Sequence, residues 1–222
     1  MNMRASEVLQ KEAQVQFEER KFPGWKRMID IIGALVGLIL FSPIIVVVSF
    51  IIYVTDGRPI FFSQDRLGLG GETFHIYKFR SMRRDAEEVL RGNPVIYNKY
   101  VSNNYKLPEG QDPRITKIGF FLRKTSLDEL PQFWNVLIGN MSLVGPRPIV
   151  QAELNEYGSK RFLFLNMKPG ITGVWQVSGR SDLKYPERVD VELSYLEKQG
   201  MTFDIAVLFR TVYCVFKRKG AL

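Results

Sequence analysis

Adjacent carboxylates at Asp128 and Glu129 offer the most readily interpreted chemistry in this 222-residue sequence. They precede an apolar run at 133–138, and the intervening Pro131 is tolerated in the first turn of a helix but not deeper inside it. This register places Asp128 at or near the N-cap, where free N–H groups and the positive helix end keep a carboxylate ionised and nucleophilic. A purely structural cap explains the same pattern, either through Asp128 or through a capping box of Ser126 and Glu129. Both interpretations stay open.

Two loops rich in glycine and proline each carry an arginine. In the first loop, Pro146 and Pro148 flank Arg147, fix the backbone and lower the entropy of presenting its guanidinium. A preorganised arginine suits a phosphate. The second loop, at 169–181, combines turn glycines with an aromatic side chain and Arg180. A tight turn without a binding role is an equal alternative for each loop.

A β-hairpin is predicted between the apolar run and these loops. One strand covers 60–64, a glycine-rich turn follows at 68–71, and the second strand runs from 73 to 82. The period of two places Lys78 and Arg80 on the same face of the second strand. Two cations that point one way favour a phosphate site, and a solvated strand face is the alternative.

Composition excludes several kinds of site. With one cysteine, Cys214, and one histidine, His75, the chain forms no internal disulfide and no Cys/His zinc cluster, so any bound metal must be hard and oxygen-ligated. No dinucleotide-binding or P-loop motif occurs. The formal net charge of +8 indicates an acidic partner, whether anionic lipid, nucleotide phosphate or nucleic acid. The basic residues are dispersed and no recognition motif is present, which disfavours nucleic acid.

A stretch of 24 residues without a charge, 31–54, has the length of a membrane segment. Ser42 and Pro43 lie at its midpoint, and basic residues flank both of its ends, so both ends are expected on the cytoplasmic side. Each half is about 16 Å long as a helix, roughly half of a ~30 Å hydrocarbon core. These lengths fit a re-entrant helix interrupted at Ser42 and Pro43. A single span with a tolerated proline kink is the alternative.

The sequence thus divides into a polar N-terminal arm at 1–24, a re-entrant membrane element at 25–56 and a cytoplasmic catalytic domain with interfacial helices at 57–222. Apolar residues recur at helical spacing near the C-terminus, and a basic end follows at 217–219. Such a helix suits either the core or a surface of anionic headgroups. We predict an α+β fold, mainly helical, that combines the membrane element, the β-hairpin and interfacial amphipathic helices.

Taken together, the motifs resemble those of the monotopic phosphoglycosyl transferases, a family of bacterial sugar transferases. The resemblance runs in unbroken order from about residue 26 to residue 219. It rests on eight motifs: Lys26-Arg27 with Asp30, the apolar run with Ser42-Pro43, Gln64-x-Arg66-x-Gly68, Tyr77 to Met82, Asp112-Pro113-Arg114, Leu127 to Gln132, Pro146-Arg147-Pro148, and the loop from Gly170 to Arg180. Eight motifs in register are a specific signature.

The resemblance implies a reaction at the cytoplasmic face of the bacterial inner membrane. A UDP-sugar gives its phosphosugar to an aspartate, UMP leaves, and a polyprenol phosphate, undecaprenyl phosphate in this expectation, attacks the covalent intermediate. The product is a polyprenyl-diphosphate-sugar, made in the first membrane step of polysaccharide or glycoconjugate assembly. Asp128 would be the nucleophile and Glu129 a ligand of Mg²⁺, which screens the diphosphate.

The same resemblance assigns further roles. Arg147 and Arg180, with Pro146 and Pro148 around the former, would bind phosphate or nucleotide. Lys78 and Arg80 would assist them, and Ser42-Pro43 would break the membrane helix. In relatives an aspartate usually stands where this chain has Glu192, so the role of that position is open.

The alternative class of function is a non-catalytic, membrane-anchored binding or scaffold protein. It accounts for the charge and the anchor but not for Asp128 and Glu129 beside two arginine loops. The identity of the sugar, the length of the polyprenol, the polysaccharide pathway and the oligomeric state, a homodimer included, are left undecided by the sequence.

Overall fold

The structure is a computed structural model that describes residues 22–102, 107–108, 110–179, 183 and 185–217. In these ranges the chain is mainly helical with two small two-stranded sheets, which confirms the predicted α+β class. The α-helices are α1 Gly24–Thr55, α2 Ala86–Arg91, α3 Pro94–Ser102, α4 Lys117–Thr125, α5 Gln132–Ile138, α6 Arg161–Leu165, α7 Val174–Ser178, α8 Glu187–Lys198 and α9 Met201–Lys217. The strands are β1 Phe61–Leu67, β2 Thr73–Phe79, β3 Ser142–Val144 and β4 Gly170–Thr172. Most of the predicted polar arm, 1–21, lies outside the described residues.

Helix α1 contains the predicted membrane segment and is, among the described helices, the one long and apolar enough to cross a bilayer. One stripe of this 32-residue helix faces protein, because its buried positions recur at helical spacing on both sides of the midpoint. The buried residues are Lys26, Asp30, Ala34, Gly37, Val48 and Ile52. The rest of its surface is apolar and exposed, as at Ile39 and Phe50.

The proline at position 43 does not interrupt α1. A residue at this position of a helix would normally donate its N–H to the carbonyl of Ile39, and proline has no N–H to give. The Ser42 hydroxyl donates to that same carbonyl at 2.8 Å, so the acceptor is satisfied. The predicted division into two separate helices is therefore wrong in this respect: helical backbone continues through Ser42 and Pro43.

Both halves of α1 pack on the same domain. In the first half, a Cβ at Gly37 would come within 2.7 Å of the Phe133 ring, so glycine is what allows this ring to lie against the helix. The Phe41 ring stacks on Phe133 with centroids 6.1 Å apart. In the second half, Val48 and Ile52 join a hydrophobic cluster of the domain. The partners of these two residues are Phe79, Leu122 and Leu130.

Buried polar groups attach the start of α1 to the domain. Lys26 donates to the Val144 carbonyl at 2.9 Å and forms a buried ion pair with Asp204 of α9. The Asp30 carboxylate accepts from the Ser142 hydroxyl at 2.9 Å and from the Leu143 N–H at 2.8 Å. A charged pair at such depth is tolerated only when its partners are in place, so this end of the helix has a defined register on the domain.

The predicted hairpin is present as β1 and β2, which pair antiparallel from Phe61 opposite Phe79 to Leu67 opposite Thr73. Its turn uses glycines at positive φ, 77° at Gly70 and 80° at Gly71, where a side chain would be strained. The second sheet is parallel, with Ser142 opposite Gly170. This pairing brings the two proline- and glycine-rich loops side by side.

The C-terminal helix α9 is amphipathic, as its spacing predicts. Asp204 and Val207 face the interior, whereas Ile205, Phe209 and Val212 expose apolar side chains to the surroundings. Helix α3 lies on the surface, and none of its residues is buried.

Candidate active site

The turn that carries Asp128 is a short 3₁₀ segment, Leu127–Glu129, between α4 and α5. Ser126 precedes it in the left-handed region, with φ 57°, and reverses the chain after α4. Helix α5 begins only at Gln132 with Pro131 in the N-cap position. Asp128, predicted at or near the N-cap, thus lies three residues before it and does not cap this helix, and Ser126 makes no side-chain cap hydrogen bond either.

Burial, rather than a helix end, sets the electrostatics of Asp128. The residue is 8% exposed, and burial followed by the negative charge of Glu129 raises its pKa to about 6. Lys78, Arg123 and Arg147 act in the opposite direction. At neutral pH the Asp128 carboxylate is therefore mostly ionised. It ionises less readily than it would at a helix N-terminus, the environment that the sequence predicts.

An ion pair links the hairpin to this turn. Lys78 Nζ lies 2.7 Å from Glu129 Oε1, and both side chains are partly buried. The strand is held in place by Asn135 of α5, whose amide accepts from the Tyr77 N–H at 2.9 Å and donates to the His75 carbonyl at 2.7 Å. These three hydrogen-bonding contacts fix Lys78 opposite the carboxylates.

A cavity opens beside the turn, and its lining is strongly basic. Three cations and one carboxylate give the lining a formal charge of +2. The lining residues are Arg66, Ile76, Lys78, Glu129, Gln132, Arg147, Pro148, Ile171 and Gln176.

Arg80 does not join Lys78 in this cavity. The guanidinium donates from Nη2 to the carbonyls of Asp56 and Gly57, both at 2.8 Å, just beyond the end of α1. Carbonyl groups and the negative end of a helix attract a cation, so the Arg80 guanidinium lies at the end of α1 and not in the cavity. Of the two cations predicted to face one phosphate, Lys78 therefore lines the cavity and Arg80 does not.

The two arginine loops meet at their backbones. A Cβ on Gly170 would lie 2.1 Å from the Gly145 nitrogen, and one on Gly173 would lie 1.9 Å from the Gly145 oxygen. Only glycines permit this approach, and Pro146 contributes its carbonyl as an acceptor for the Gly170 N–H at 2.9 Å. Pro146 is itself buried behind the cavity wall.

The close approach of these two loops places one arginine, Arg147, at the cavity. The Arg147 guanidinium lies over the Trp175 ring, 5.5 Å from its centroid, while Pro148 lines the cavity beside it. Arg180, predicted to act with Arg147, lies outside the described residues.

Arg66 is a cavity residue to which the sequence argument assigned no role. It stands opposite Phe74 in the hairpin, so it shares a face with Lys78, four pairs along. Burial lowers its pKa, and the nearby Arg147 lowers it further. The signal that identifies Arg66 is the hairpin register, which depends on where the glycine turn closes. Gln132 and Gln176 line the same cavity and also went unassigned.

The side chains available as metal ligands suit a cation that binds together with substrate phosphates. Within the described residues no group of three or more carboxylate, His or Cys side chains is assembled to hold a cation alone. Mg²⁺ commonly takes one or two carboxylates and completes its shell with phosphates and water. Glu129 lines the cavity, and its repulsion of Asp128 would be relieved by a cation near the pair. The residues present therefore fit this ion.

Comparison with known proteins gives a consistent result. A family model described as bacterial sugar transferase matches residues 21–218. The chain is 46% identical over 200 residues to a UDP-galactose-lipid carrier transferase of Erwinia amylovora, with 88% of this chain and 41% of that protein covered. It is 40% identical over 200 residues to the exopolysaccharide production protein ExoY of Rhizobium meliloti, covering 88% and 87%. It is 45% identical over 199 residues to an undecaprenyl-phosphate galactose phosphotransferase of Salmonella typhimurium, covering 88% and 41%. The chain thus spans about two fifths of two of these relatives and most of the third.

The environment of Asp128 makes a prediction about stability. Its folded-state pKa is raised above the ordinary value of 3.8, so the ionised carboxylate opposes folding above pH ~6 and the penalty vanishes below pH ~4. Asp128→Asn removes the charge and should raise the free energy of unfolding at pH 7 by about 1–3 kcal/mol. The gain should shrink as the pH falls from about 6 to about 4.

Thermal unfolding in detergent across this pH range measures the effect. Asp190→Asn serves as the control because Asp190 is exposed and its ion pair with Lys160 is also exposed, so no comparable gain is expected. A loss of stability at pH 7 in Asp128→Asn that persists at pH 4 would contradict the assignment of a buried, penalised charge.

Proposed function

This chain belongs to the bacterial sugar transferase family, and from that premise we propose that it transfers a sugar-1-phosphate from a UDP-sugar to undecaprenyl phosphate. The products are undecaprenyl-diphosphate-sugar and UMP, and the step begins polysaccharide or glycoconjugate assembly. The observation that carries the proposal is the buried Asp128 carboxylate beside a cavity of charge +2.

Charge complementarity supports a diphosphate donor. A nucleoside diphosphate sugar carries about two negative charges at neutral pH, because each phosphate is a strong acid. Arg66, Lys78 and Arg147 converge on one cavity, where such a group would offset the mutual repulsion of the two guanidinium groups. Arginine forks match phosphate oxygens in geometry as well as in charge.

The first half of the reaction uses Asp128 as a nucleophile. One carboxylate oxygen forms a bond to the phosphorus that bears the sugar, and the bond from that phosphorus to the bridging oxygen breaks. UMP leaves with the electron pair of that bond. The acyl phosphate that remains joins Asp128 to the sugar phosphate.

The second half regenerates the carboxylate. A phosphate oxygen of undecaprenyl phosphate attacks the same phosphorus, and the Asp128 oxygen leaves with its electron pair. The net change is the exchange of UMP for the lipid phosphate on the sugar-bearing phosphorus. Because Asp128 accepts and releases the group without a proton transfer of its own, a carboxylate with a pKa of about 6 suffices at neutral pH.

Mg²⁺ is proposed as the cofactor, held by Glu129 together with the donor diphosphate. When bound, the ion would neutralise charge on the phosphates and favour departure of UMP. The Glu129 carboxylate lines the cavity, 2.7 Å from Lys78 Nζ. Arg147 binds and orients the phosphate beside Asp128.

For the membrane, we propose that α1 enters one leaflet and that both of its ends stay at the cytoplasmic face of the inner membrane. The support is that buried residues near both ends of α1, from Lys26 to Ile52, pack on one domain. The two ends of the helix therefore cannot lie on opposite sides of a bilayer unless the domain enters the lipid. A bend of the helix axis would cost least at Pro43. Exposed apolar faces of α1 and α9 would meet acyl chains, and basic residues would meet anionic headgroups.

The covalent intermediate makes the first prediction for this function. Incubation with a UDP-sugar and Mg²⁺, without the lipid acceptor, should leave one phosphosugar on Asp128. UDP-galactose is the first donor of the panel, since two of the relatives are named for galactose. Mass spectrometry should map the adduct to this residue. Asp128→Asn should lack the adduct and lose activity by a factor of about 10³ or more while remaining folded. Full turnover in this variant would exclude the mechanism.

The metal ligand is tested with a matched pair of variants. Glu129→Gln replaces a hard anionic ligand by an amide and should raise the Mg²⁺ concentration for half-maximal turnover by about 10–100-fold. Lys78→Met breaks the same ion pair but leaves the carboxylate, so it should change the KM for the UDP-sugar and not the Mg²⁺ dependence. Equal Mg²⁺ dependence in all three proteins would remove Glu129 from the metal site.

The topology is tested with single cysteines in a Cys214→Ser background. Gly24→Cys stands at the start of α1, where a Cβ meets no atom within 4 Å, and Ser63→Cys stands beyond its end on an exposed strand position. An impermeant thiol reagent should label both sites in inverted membrane vesicles and neither in intact spheroplasts. Labelling of either site from the periplasm would establish a span in place of the re-entrant course.

A further inference from the structure

The carboxylate of Glu192 is buried in the interior of the domain, on helix α8. The residue is 1% exposed and accepts a hydrogen bond from the Tyr157 hydroxyl and another from Arg188 Nε at 3.1 Å. Burial raises its pKa, and the Arg188 guanidinium acts against this rise. A buried carboxylate without partners is costly, so these two contacts are what make the position tolerable.

Arg188 connects this carboxylate to the wall of the active-site cavity. The guanidinium is buried, lies 4.4 Å from the centroid of the Trp175 ring and 4.8 Å from that of Tyr185. A second carboxylate, Glu153, lies 3.6 Å from Arg188 Nη1. The arginine is thus held by acids on one side and by aromatic rings on the other.

The same Trp175 ring carries Arg147. Its guanidinium lies 5.5 Å from the ring centroid, so two cations share one indole. Charge interactions in a buried setting are weakly screened. Glu192 is close enough to both arginines for each of them to lower its pKa, so its negative charge attracts both guanidinium groups.

We propose that Glu192 is a positioning residue for the donor phosphate: through Arg188 and the Trp175 ring it holds the Arg147 guanidinium at the cavity. This inference rests on the proposed function, in which Arg147 binds phosphate. It assigns a role to the position at which the sequence departs from its relatives. Glu192 itself touches no substrate in this arrangement.

Loss of the Glu192 charge has a specific expected consequence. Glu192→Gln keeps the size of the side chain but removes the negative charge that attracts both guanidinium groups, so Arg147 is held less firmly at the position where it meets the donor. An interaction that acts in both the ground state and the transition state affects KM more than kcat. We expect the KM for the UDP-sugar to rise about tenfold, with kcat changed by no more than about threefold.

The test is a double-mutant cycle between Glu192→Gln and Arg147→Ala, read as kcat and KM for the UDP-sugar. If Glu192 acts through Arg147, Glu192→Gln should change KM by less than about twofold once Arg147 is absent. Glu192→Asp, which retains the charge, should restore most of the parent KM. Asp112→Asn is the matched control, because Asp112 forms a similarly buried ion pair with Arg114 outside the cavity lining, and its effect should add to that of Arg147→Ala.

The outcomes separate this inference from the proposed function. Thermal unfolding with and without UDP measures how strongly UDP stabilises each of the same variants. This second readout completes the double-mutant cycle even if the protein turns over no UDP-sugar of the panel. If the parent shows no turnover, but the effects of Glu192→Gln and Arg147→Ala on stabilisation by UDP are non-additive, the reaction is rejected and the positioning role is kept. Full additivity of Glu192→Gln and Arg147→Ala in both readouts, or an unchanged KM in Glu192→Gln, would overturn the inference.

Trp175→Phe replaces Glu192→Gln if the latter does not accumulate as folded protein. A phenyl ring attracts cations less strongly than an indole, so this variant should also raise KM, and again only while Arg147 is present.

Discussion

The ring of Phe133 fills the space that α1 leaves open at Gly37, and much of the molecule depends on this contact. Phe133 lies near the start of α5, directly after the turn of Asp128 and Glu129, and it packs against both hydrophobic clusters of the domain. The apolar helix and the carboxylates are therefore parts of one packed unit. For the proposed reaction, whose acceptor is anchored in lipid, such coupling would keep Asp128 at a constant depth relative to the headgroups.

Buried charge is the second organising feature, and it is arranged in compensated groups. Lys26 with Asp204 secures the start of α1, and Arg188 with Glu192 lies behind the cavity wall. At the cavity the balance differs, because the lining has more cations than carboxylates. Excess positive charge in a confined space is unfavourable for the protein alone, and an anionic substrate would neutralise it. The interior is thus neutralised where structure is needed and left positive where a phosphate is expected.

Sequence reasoning identified residues that lie together beside the cavity, and it was wrong where it assumed a local cause. It selected Asp128 and Glu129 from their adjacency, and the structure places them beside Lys78 and Arg147. It assigned Asp128 to a helix cap, whereas burial in the turn governs its pKa. It expected a break at Pro43, but the hydroxyl of the preceding serine replaces the missing hydrogen bond. Glu192 stood out as unusual; Arg188 is one turn away on α8, whereas its other partner, Tyr157, lies on a distant segment of the chain.

What the sequence by itself determined is therefore the chemistry that local order encodes: the carboxylate pair, the preorganised arginine between two prolines, the apolar helix and the family to which the motifs belong. The tertiary structure alone decided which cations serve the site. Lys78 reaches Glu129, Arg80 turns to the carbonyls after α1, and Arg66 enters through the hairpin register. These choices depend on distances between segments far apart in the chain, which are set by packing and by the attraction of buried charges, and no local pattern of residues contains them.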